Sequence, residues 1–330
     1  MNFEEMFGAV KARGAIIEKA MQDDMDVTLA GSDPLLSEVL HYGLFSGGKR
    51  IRPLLVVLAA EICGNRDEQV QRLAIAFEYL HVATLVHDDV IDHARKRRGR
   101  LSVTEKYGPA AAILTGDWLH ARSMSLVARY AGPSGLAVFS TATAAMVDGE
   151  FLQLRHQGKI QLSEEDYFSV IEKKTAGLIA AACETGALFA GASADQVAVL
   201  KRYGRNLGLA FQIIDDLLDY QGDAENTGKK IGNDFMEGKI TLPLLLTLQQ
   251  ANSPDHNHLA DLLATKLHRD DFDTVCDYIK KYQGFDLARH RAEELVEKAI
   301  NGLKGLPEPE GSDSRSILIT LAQYVLKRDR

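Results

Sequence analysis

Apolar residues recur at helical spacing along almost all of this 330-residue chain, and that periodicity excludes most folds other than an all-helical one. Leu73, Ala76, Phe77 and Leu80 fall at i, i+3, i+4 and i+7, the spacing of one buried helix face. The same reading predicts helices over 35–44, 51–63, 67–93, 109–130, 134–157, 164–190, 195–220 and 239–250. Only 8 prolines interrupt the chain. Breaks fall where Gly, Pro, Ser and Asn gather: Ser46-Gly47-Gly48, Gly108-Pro109, Gly132-Pro133 and the stretch from Gly222 to Gly238. Ser163 before Glu164, Glu165 and Asp166 reads as an N-cap with an acidic first turn. Helices apolar over more than half their circumference, such as Ala176 to Gly191, belong inside a large bundle. No strand periodicity persists. The tail 252–316 is more polar, with Gly305 to Ser314 as a loop. The expectation is one all-α domain spanning 1–330.

Charge narrows the function. A net charge of −8 argues against general nucleic-acid binding, which needs a basic footprint. Basic residues nonetheless cluster at Lys49 to Arg52 and Arg95 to Arg100, as an anionic ligand would require. Cys63, Cys183 and Cys276 are isolated in sequence and fit reduced thiols in a cytoplasmic protein. The N-terminal stretch lacks the apolar core of a signal peptide, and no run approaches the ~20 apolar residues of a membrane span. No stable membrane insertion is expected.

Asp88-Asp89-Val90-Ile91-Asp92 ends an apolar helix, with Asp88 and Asp92 one turn apart on one face. Carboxylates this close repel one another unless a cation neutralises them. All-oxygen ligands suit magnesium, which binds one or two carboxylates together with substrate phosphate. Alone, such a motif is more often an exposed acidic helix end. Here Asp215-Asp216-Leu217-Leu218-Asp219 repeats the spacing on a second apolar helix. Two such faces make one cage if the helices meet in a bundle. Gly47-Gly48-Lys49-Arg50-Ile51-Arg52-Pro53 sets a glycine turn and two cations before a helix start. Arg97-Arg98-Gly99 follows the first motif closely, and the planar arginine fork suits phosphate oxygens. Lys96 and Arg100 read as solvated charges. Gly228 to Asp234, with Glu237-Gly238-Lys239, has the glycine and lysine content of a phosphate-closing flap.

At these residues the chain resembles the trans-isoprenyl diphosphate synthase family, chiefly its medium- and long-chain members. The resemblance runs from about residue 33 to 250, with an echo at Lys327 and Arg328. It is carried by GGKRIRP (47–53), LHVATLVHDDVID (80–92), RRG (97–99), GDW (116–118), GEFLQL (149–154), KTAGL (174–178), FQIIDDLLD (211–219) and GNDFMEGKITLP (232–243). It implies a single large helical bundle with a central apolar tunnel, usually as a homodimer. Lys49, Arg52, His81 and Arg98 match positions that hold isopentenyl diphosphate. Arg97, Lys174, Thr175, Gln212, Lys229 and Lys239 match those that hold the allylic diphosphate. Asp88, Asp92 and Asp215 match the ligands of three magnesium ions, with Asp89, Asp216 and Asp219 in support. Arg97 and Lys174 join the three metal-binding aspartates as the implied catalytic set.

The implied reaction is ionisation, condensation and elimination, with the released diphosphate taking the proton. Its substrates are isopentenyl diphosphate and an allylic prenyl diphosphate. The sequence departs from the family pattern at His93, at Arg100, at Leu101-Ser102 and at Glu184, none of them a phosphate or metal position. His87 reads as a structural neighbour of Asp88, and His256 and His258 as surface residues in a polar loop.

In this family a bulky residue one turn before the first motif stops the chain early. Ala83 and Thr84 are small, which implies a product longer than farnesyl diphosphate, with geranylgeranyl diphosphate the nearest alternative. Phe77, Leu80, Met124 and Val127 are candidates to close the tunnel further down. A terpene cyclase would normally mix Asn, Ser or Thr with Glu in its second metal motif and would lack an isopentenyl site. A non-catalytic partner subunit would lack one or both acidic motifs.

Overall fold

The computed structural model describes residues 2–221, 231–264, 269–307 and 309–328, and these are almost entirely helical. The helices are α1 (Phe3–Thr28), α2 (Pro34–Leu44), α3 (Ile51–Ile62), α4 (Gln69–Ile91), α5 (Val103–Tyr107), α6 (Pro109–His156), α7 (Glu164–Ile171), α8 (Gly177–Phe189) and α9 (Ala194–Gln221). After them come α10 (Asn233–Met236), α11 (Leu242–Gln250), α12 (Ser253–Ala264), α13 (Arg269–Lys281), α14 (Gly284–Leu303) and α15 (Ser314–Leu326). A two-stranded hairpin, β1 (Lys96–Arg97) and β2 (Arg100–Leu101), sits between α4 and α5. No helix among the described residues is long and apolar enough to cross a membrane.

Two compact units emerge. The first comprises Met1–Thr141, Ala181–Leu200 and Leu306–Leu318; the second comprises Ala142–Ala180, Lys201–Gly305 and Ile319–Arg330. In the first, α3 packs along α4, and α1 packs on both. Nine of the twelve residues of α3 are buried, as a helix apolar all round requires. Each large aliphatic side chain so buried contributes about 1.5–3 kcal/mol. Buried Asp24 on α1 is paired: it accepts from Arg122 on α6 and, at 3.1 Å, from the Tyr79 hydroxyl on α4. In the second unit, α14 lies against α11, which also meets α7 and α13.

The structure sharpens several boundaries. Predicted helix 164–190 is interrupted by a π-helical turn, Glu172–Ala176, and predicted helices 109–130 and 134–157 are joined across a kink at Gly132. Ser163 caps α7 with a reciprocal capping box to Asp166. Predicted helix 239–250 begins only at Leu242. The hairpin at 96–101 carries too few residues to show a period of two. Beyond the short α5 and α10 and the C-terminal α15, two longer stretches outside the predicted ranges are helical: α1 and the tail segments α12 to α14. Their apolar residues form narrow stripes among charges. His256 and His258 accordingly lie on α12, not in a loop, and His258 Nδ1 is 2.8 Å from the Tyr278 hydroxyl.

Candidate active site

In the first unit the chemistry gathers at the C-terminal end of α4. Asp88 is half-buried, and Asp92 caps the helix and is exposed. Asp89 turns the other way. It is 2% exposed, and its Oδ1 accepts from Arg97 Nε at 2.8 Å and Nη2 at 2.7 Å. Burial raises the Asp89 pKa while the Arg97 guanidinium pulls it back. The middle carboxylate is thus committed to Arg97, while Asp92 remains exposed.

The hairpin that carries Arg97 turns through Arg98 (φ 50°) and Gly99 (φ 76°). Arg98 thereby reaches the loop before α3. A Cβ on Gly48 would lie 2.8 Å from Arg98 Nη1, so only glycine, at φ 141°, allows this approach. Lys49 follows, exposed. Arg52, in the first turn of α3, has its Nε buried without a hydrogen-bond partner. Burial lowers the Arg52 pKa, and a buried donor of this kind calls for an anion. His81 lies on α4 amid these cations. Burial first, then Arg52, Arg98, Arg97 and Arg50, holds its imidazole well below the usual histidine range, so it is neutral at pH 7. His87 Nε2 sits 3.2 Å from the Ile113 carbonyl and 3.6 Å from Asp117, beside Asp88 but bound to α6.

The second unit holds the second acidic motif on α9. Asp215 is half-buried. Asp216 is 4% exposed and accepts from the Tyr167 hydroxyl at 2.6 Å and from Gln212 Nε2 at 2.9 Å. Burial, then Asp234, pushes its pKa well up, against these two donors. The pattern of the first motif recurs: the middle aspartate is buried and pinned. Asp219 is spent differently, accepting from the backbone N–H groups of Asn233 (3.2 Å) and Asp234 (3.0 Å). It anchors α10, where the sequence alone suggested support for a metal. Lys239 pairs with Asp234 at 3.2 Å and Glu237 at 2.6 Å; burial opposes its charge, but these carboxylates raise its pKa. Lys229 lies outside the described residues. Arg328, after α15, places its guanidinium 4.4 Å over the Phe211 ring, with Nη2 3.8 Å from Asp215 Oδ1 and Nη1 buried without a partner.

Lys174 and Thr175 ride on the π-helical turn, a feature that often marks functional sites. Lys174 Nζ reaches Glu150 at 2.6 Å and Gln153 at 3.3 Å, and the Thr175 hydroxyl donates to Gln212 at 3.0 Å. α6 must come very close to make these contacts. A Cβ on Gly149 would lie 2.8 Å from the Lys174 backbone nitrogen. Glu150 and Gln153 belong to the GEFLQL stretch, but neither they nor Tyr167 carry a role legible in sequence, because their partners are distant in the chain.

Below the first motif, Ala83 is buried and Thr84 donates to the His81 carbonyl at 2.9 Å. Leu80 and Val127 are buried, and Met124 is half-buried. Phe77 meets Phe139, a residue no sequence period exposed, edge-to-face at 5.1 Å, both fully buried. Cys63, Cys183 and Cys276 are free; burial pushes Cys63 up to about 11, consistent with an unreactive thiol. Among the described residues no three His, Cys, Asp or Glu side chains group closely enough to hold a metal unaided. Asp88 and Asp92 in the first unit, and Asp215 in the second, each offer oxygen only, the donor chemistry of an ion that takes few protein ligands and completes its shell with water and phosphate.

Residues 33–279 match the polyprenyl synthetase family model. Octaprenyl diphosphate synthase of Haemophilus influenzae is 36% identical over 296 residues, covering 90% of this chain and 89% of the relative. Heptaprenyl diphosphate synthase component 2 of Geobacillus stearothermophilus is 35% identical, covering 94% and 95%. The crystal structure of a polyprenyl synthase from Caulobacter crescentus, complexed with calcium and isoprenyl diphosphate, superposes with a TM-score of 0.89 at 34% identity, covering 100% and 98%. The fold and these motifs define an all-α prenyltransferase of the isoprenoid synthase type. The chain belongs to the polyprenyl synthetase family.

Proposed function

We propose that this protein adds isopentenyl diphosphate head-to-tail to an allylic diphosphate, making an all-trans polyprenyl diphosphate longer than farnesyl and releasing diphosphate. The observation that carries the reading is the repeated acidic pattern. In each motif the middle aspartate is buried and pinned, by Arg97 or by Tyr167 and Gln212, while Asp88 (half-buried), Asp92 (exposed) and Asp215 (half-buried, with Arg328 Nη2 3.8 Å away) keep solvent access. Small residues at Ala83 and Thr84 and the polyprenyl names of the relatives support the longer product.

Magnesium, about three ions in the family pattern, would be held by Asp88, Asp92 and Asp215, and when bound it would stabilise charge on the departing diphosphate. That a relative holds calcium with isoprenyl diphosphate supports such a site. Lys174, Thr175, Gln212, Lys239, Lys229 and Arg97 bind the allylic diphosphate and favour the charge that builds as its C–O bond breaks. Lys49, Arg52, Arg98 and His81 orient isopentenyl diphosphate, with the neutral imidazole of His81 acting as a hydrogen-bonding group. Apolar side chains of α4 exclude water from the carbocation. The proton leaves with the diphosphate, and no protein base is assigned. The enzyme acts as a homodimer in the cytoplasm, in keeping with its free cysteines.

The test is metal dependence in the isolated protein. Chelation abolishes turnover, added magnesium restores it, and Asp88→Asn and Asp215→Asn each lose at least a hundredfold. Turnover that persists in chelator would refute the metal reading. A relative named as a component raises a second reading, in which this chain needs a partner chain. Turnover by the isolated protein excludes it.

A further inference from the structure

Arg50 stands out among the basic residues because it cannot reach a substrate. It is 4% exposed, and it adopts left-handed backbone geometry, φ 50° and ψ 38°, at the N-cap of α3. A non-glycine residue there is strained and persists only where its surroundings enforce it. Four contacts do so. Nη1 donates to Glu78 on α4 at 2.7 Å, Nε and Nη2 donate to Glu18 on α1 at 2.8 and 3.2 Å, and Nη2 also donates to the Leu44 carbonyl closing α2 at 2.8 Å. One guanidinium thus ties the end of α2 and the start of α3 to the middles of α1 and α4. The loop it fixes is Gly47-Gly48-Lys49, which meets Arg98, and the helix it starts presents Arg52.

Glu78 is the other half of the device. It is 2% exposed on α4, one turn before His81 and on the same face. A carboxylate so deeply buried persists only with a charged partner, and Arg50 supplies it. Glu78 also acts across space on Arg52 and Arg98, favouring their charged forms against burial and mutual repulsion.

Resting on the proposed reading of this protein as a prenyltransferase, we infer that the buried Arg50–Glu78 pair positions the isopentenyl diphosphate site. It holds the Gly48 loop and Arg52 in binding geometry while touching no substrate itself. The pair acts on one substrate only, since nothing it contacts belongs to the residues assigned to the allylic diphosphate.

The experiment removes the pair at constant net charge. In Arg50→Met/Glu78→Gln one positive and one negative charge disappear together, and Arg50→Lys, which retains both charges, separates geometry from potential. Replacing both members of a buried pair by neutral groups of similar size is often tolerated by the fold. The expected result is a KM for isopentenyl diphosphate raised tenfold or more, with the allylic KM within twofold of wild type and helical circular dichroism retained. Arg50→Lys keeps the charge but loses the fork, and it should give a smaller rise in the same KM. A folded double variant with both KM values unchanged overturns the inference. So does one in which kcat falls while both KM values stay put. Should the double variant not fold, Arg50→Lys decides: a selective rise sustains the inference and no rise overturns it. Wild-type protein that fails to consume isopentenyl diphosphate would instead defeat the parent reading, a distinct outcome.

Discussion

Adding a single methyl group to Gly149 tests how Lys174 and Thr175 are placed. The new Cβ would lie 2.8 Å from the Lys174 backbone nitrogen, 3.0 Å from Lys173 Cβ and 3.2 Å from the Lys173 carbonyl carbon, where ordinary contact begins at 3.4 Å. Two of these atoms are backbone, and they belong to the π-helical turn. The turn must therefore move by roughly half an ångström or more, carrying Lys174 away from Glu150 and Gln153 and Thr175 away from Gln212. Overpacking of this kind costs about 1–3 kcal/mol, while a misplacement near 1 Å in a catalytic site costs about a hundredfold in rate. Gly149→Ala should lower kcat/KM for the allylic diphosphate between tenfold and a hundredfold and leave the KM for isopentenyl diphosphate close to wild type. Steady-state kinetics with each substrate varied in turn, alongside thermal melts, measures both. Gly8→Ala is the control, because a Cβ there meets nothing within 4 Å. Wild-type kinetics in Gly149→Ala would show that the turn does not set the position of these side chains.

Two further predictions concern the buried groups. Tyr167→Phe leaves Asp216 with Gln212 as its remaining side-chain donor among the described residues, and depriving a buried acceptor of a partner costs about 1–3 kcal/mol, so urea denaturation should register a loss of about 2 kcal/mol. An unchanged midpoint would mean the hydroxyl is not needed. His81 is held below its ordinary pKa of 6.5 in the folded protein, so below about pH 6.5 the unfolded chain binds a proton that the folded one refuses. Stability should fall as pH drops from there toward the folded-state pKa, by at most about 1.4 kcal/mol per pH unit. His81→Gln should flatten that slope; an equal slope in the variant would remove His81 from the account.

Much of this fold is legible in the sequence because burial in helices follows a local period. The α4 stripe through Leu73, Phe77 and Leu80 and the breaks at Gly47-Gly48 and Gly132-Pro133 announce themselves within a few residues. α1 and α12 to α14 do not, since narrow apolar stripes among charges look like solvated chain until a neighbour is present to bury them. The candidate site divides along the same line. Paired aspartates and clustered cations are visible as short motifs. Which aspartate faces inward depends on Arg97 across a hairpin and on Tyr167, 49 residues from Asp216. The interruption at Glu172–Ala176 is likewise invisible locally, and Gly149, which lies against it, is 23 residues away from Glu172 in the chain. Glu78 looks like a stray charge in an apolar helix until Arg50 is placed beside it.

The sharpest trial is to supply the purified protein with magnesium, labelled isopentenyl diphosphate and an allylic starter, then size the dephosphorylated products. Two acidic motifs would not by themselves distinguish chain extension from other carbocation chemistry, but product length does. The account predicts a ladder ending well beyond fifteen carbons. Products no longer than fifteen carbons, or label left unincorporated, would contradict it.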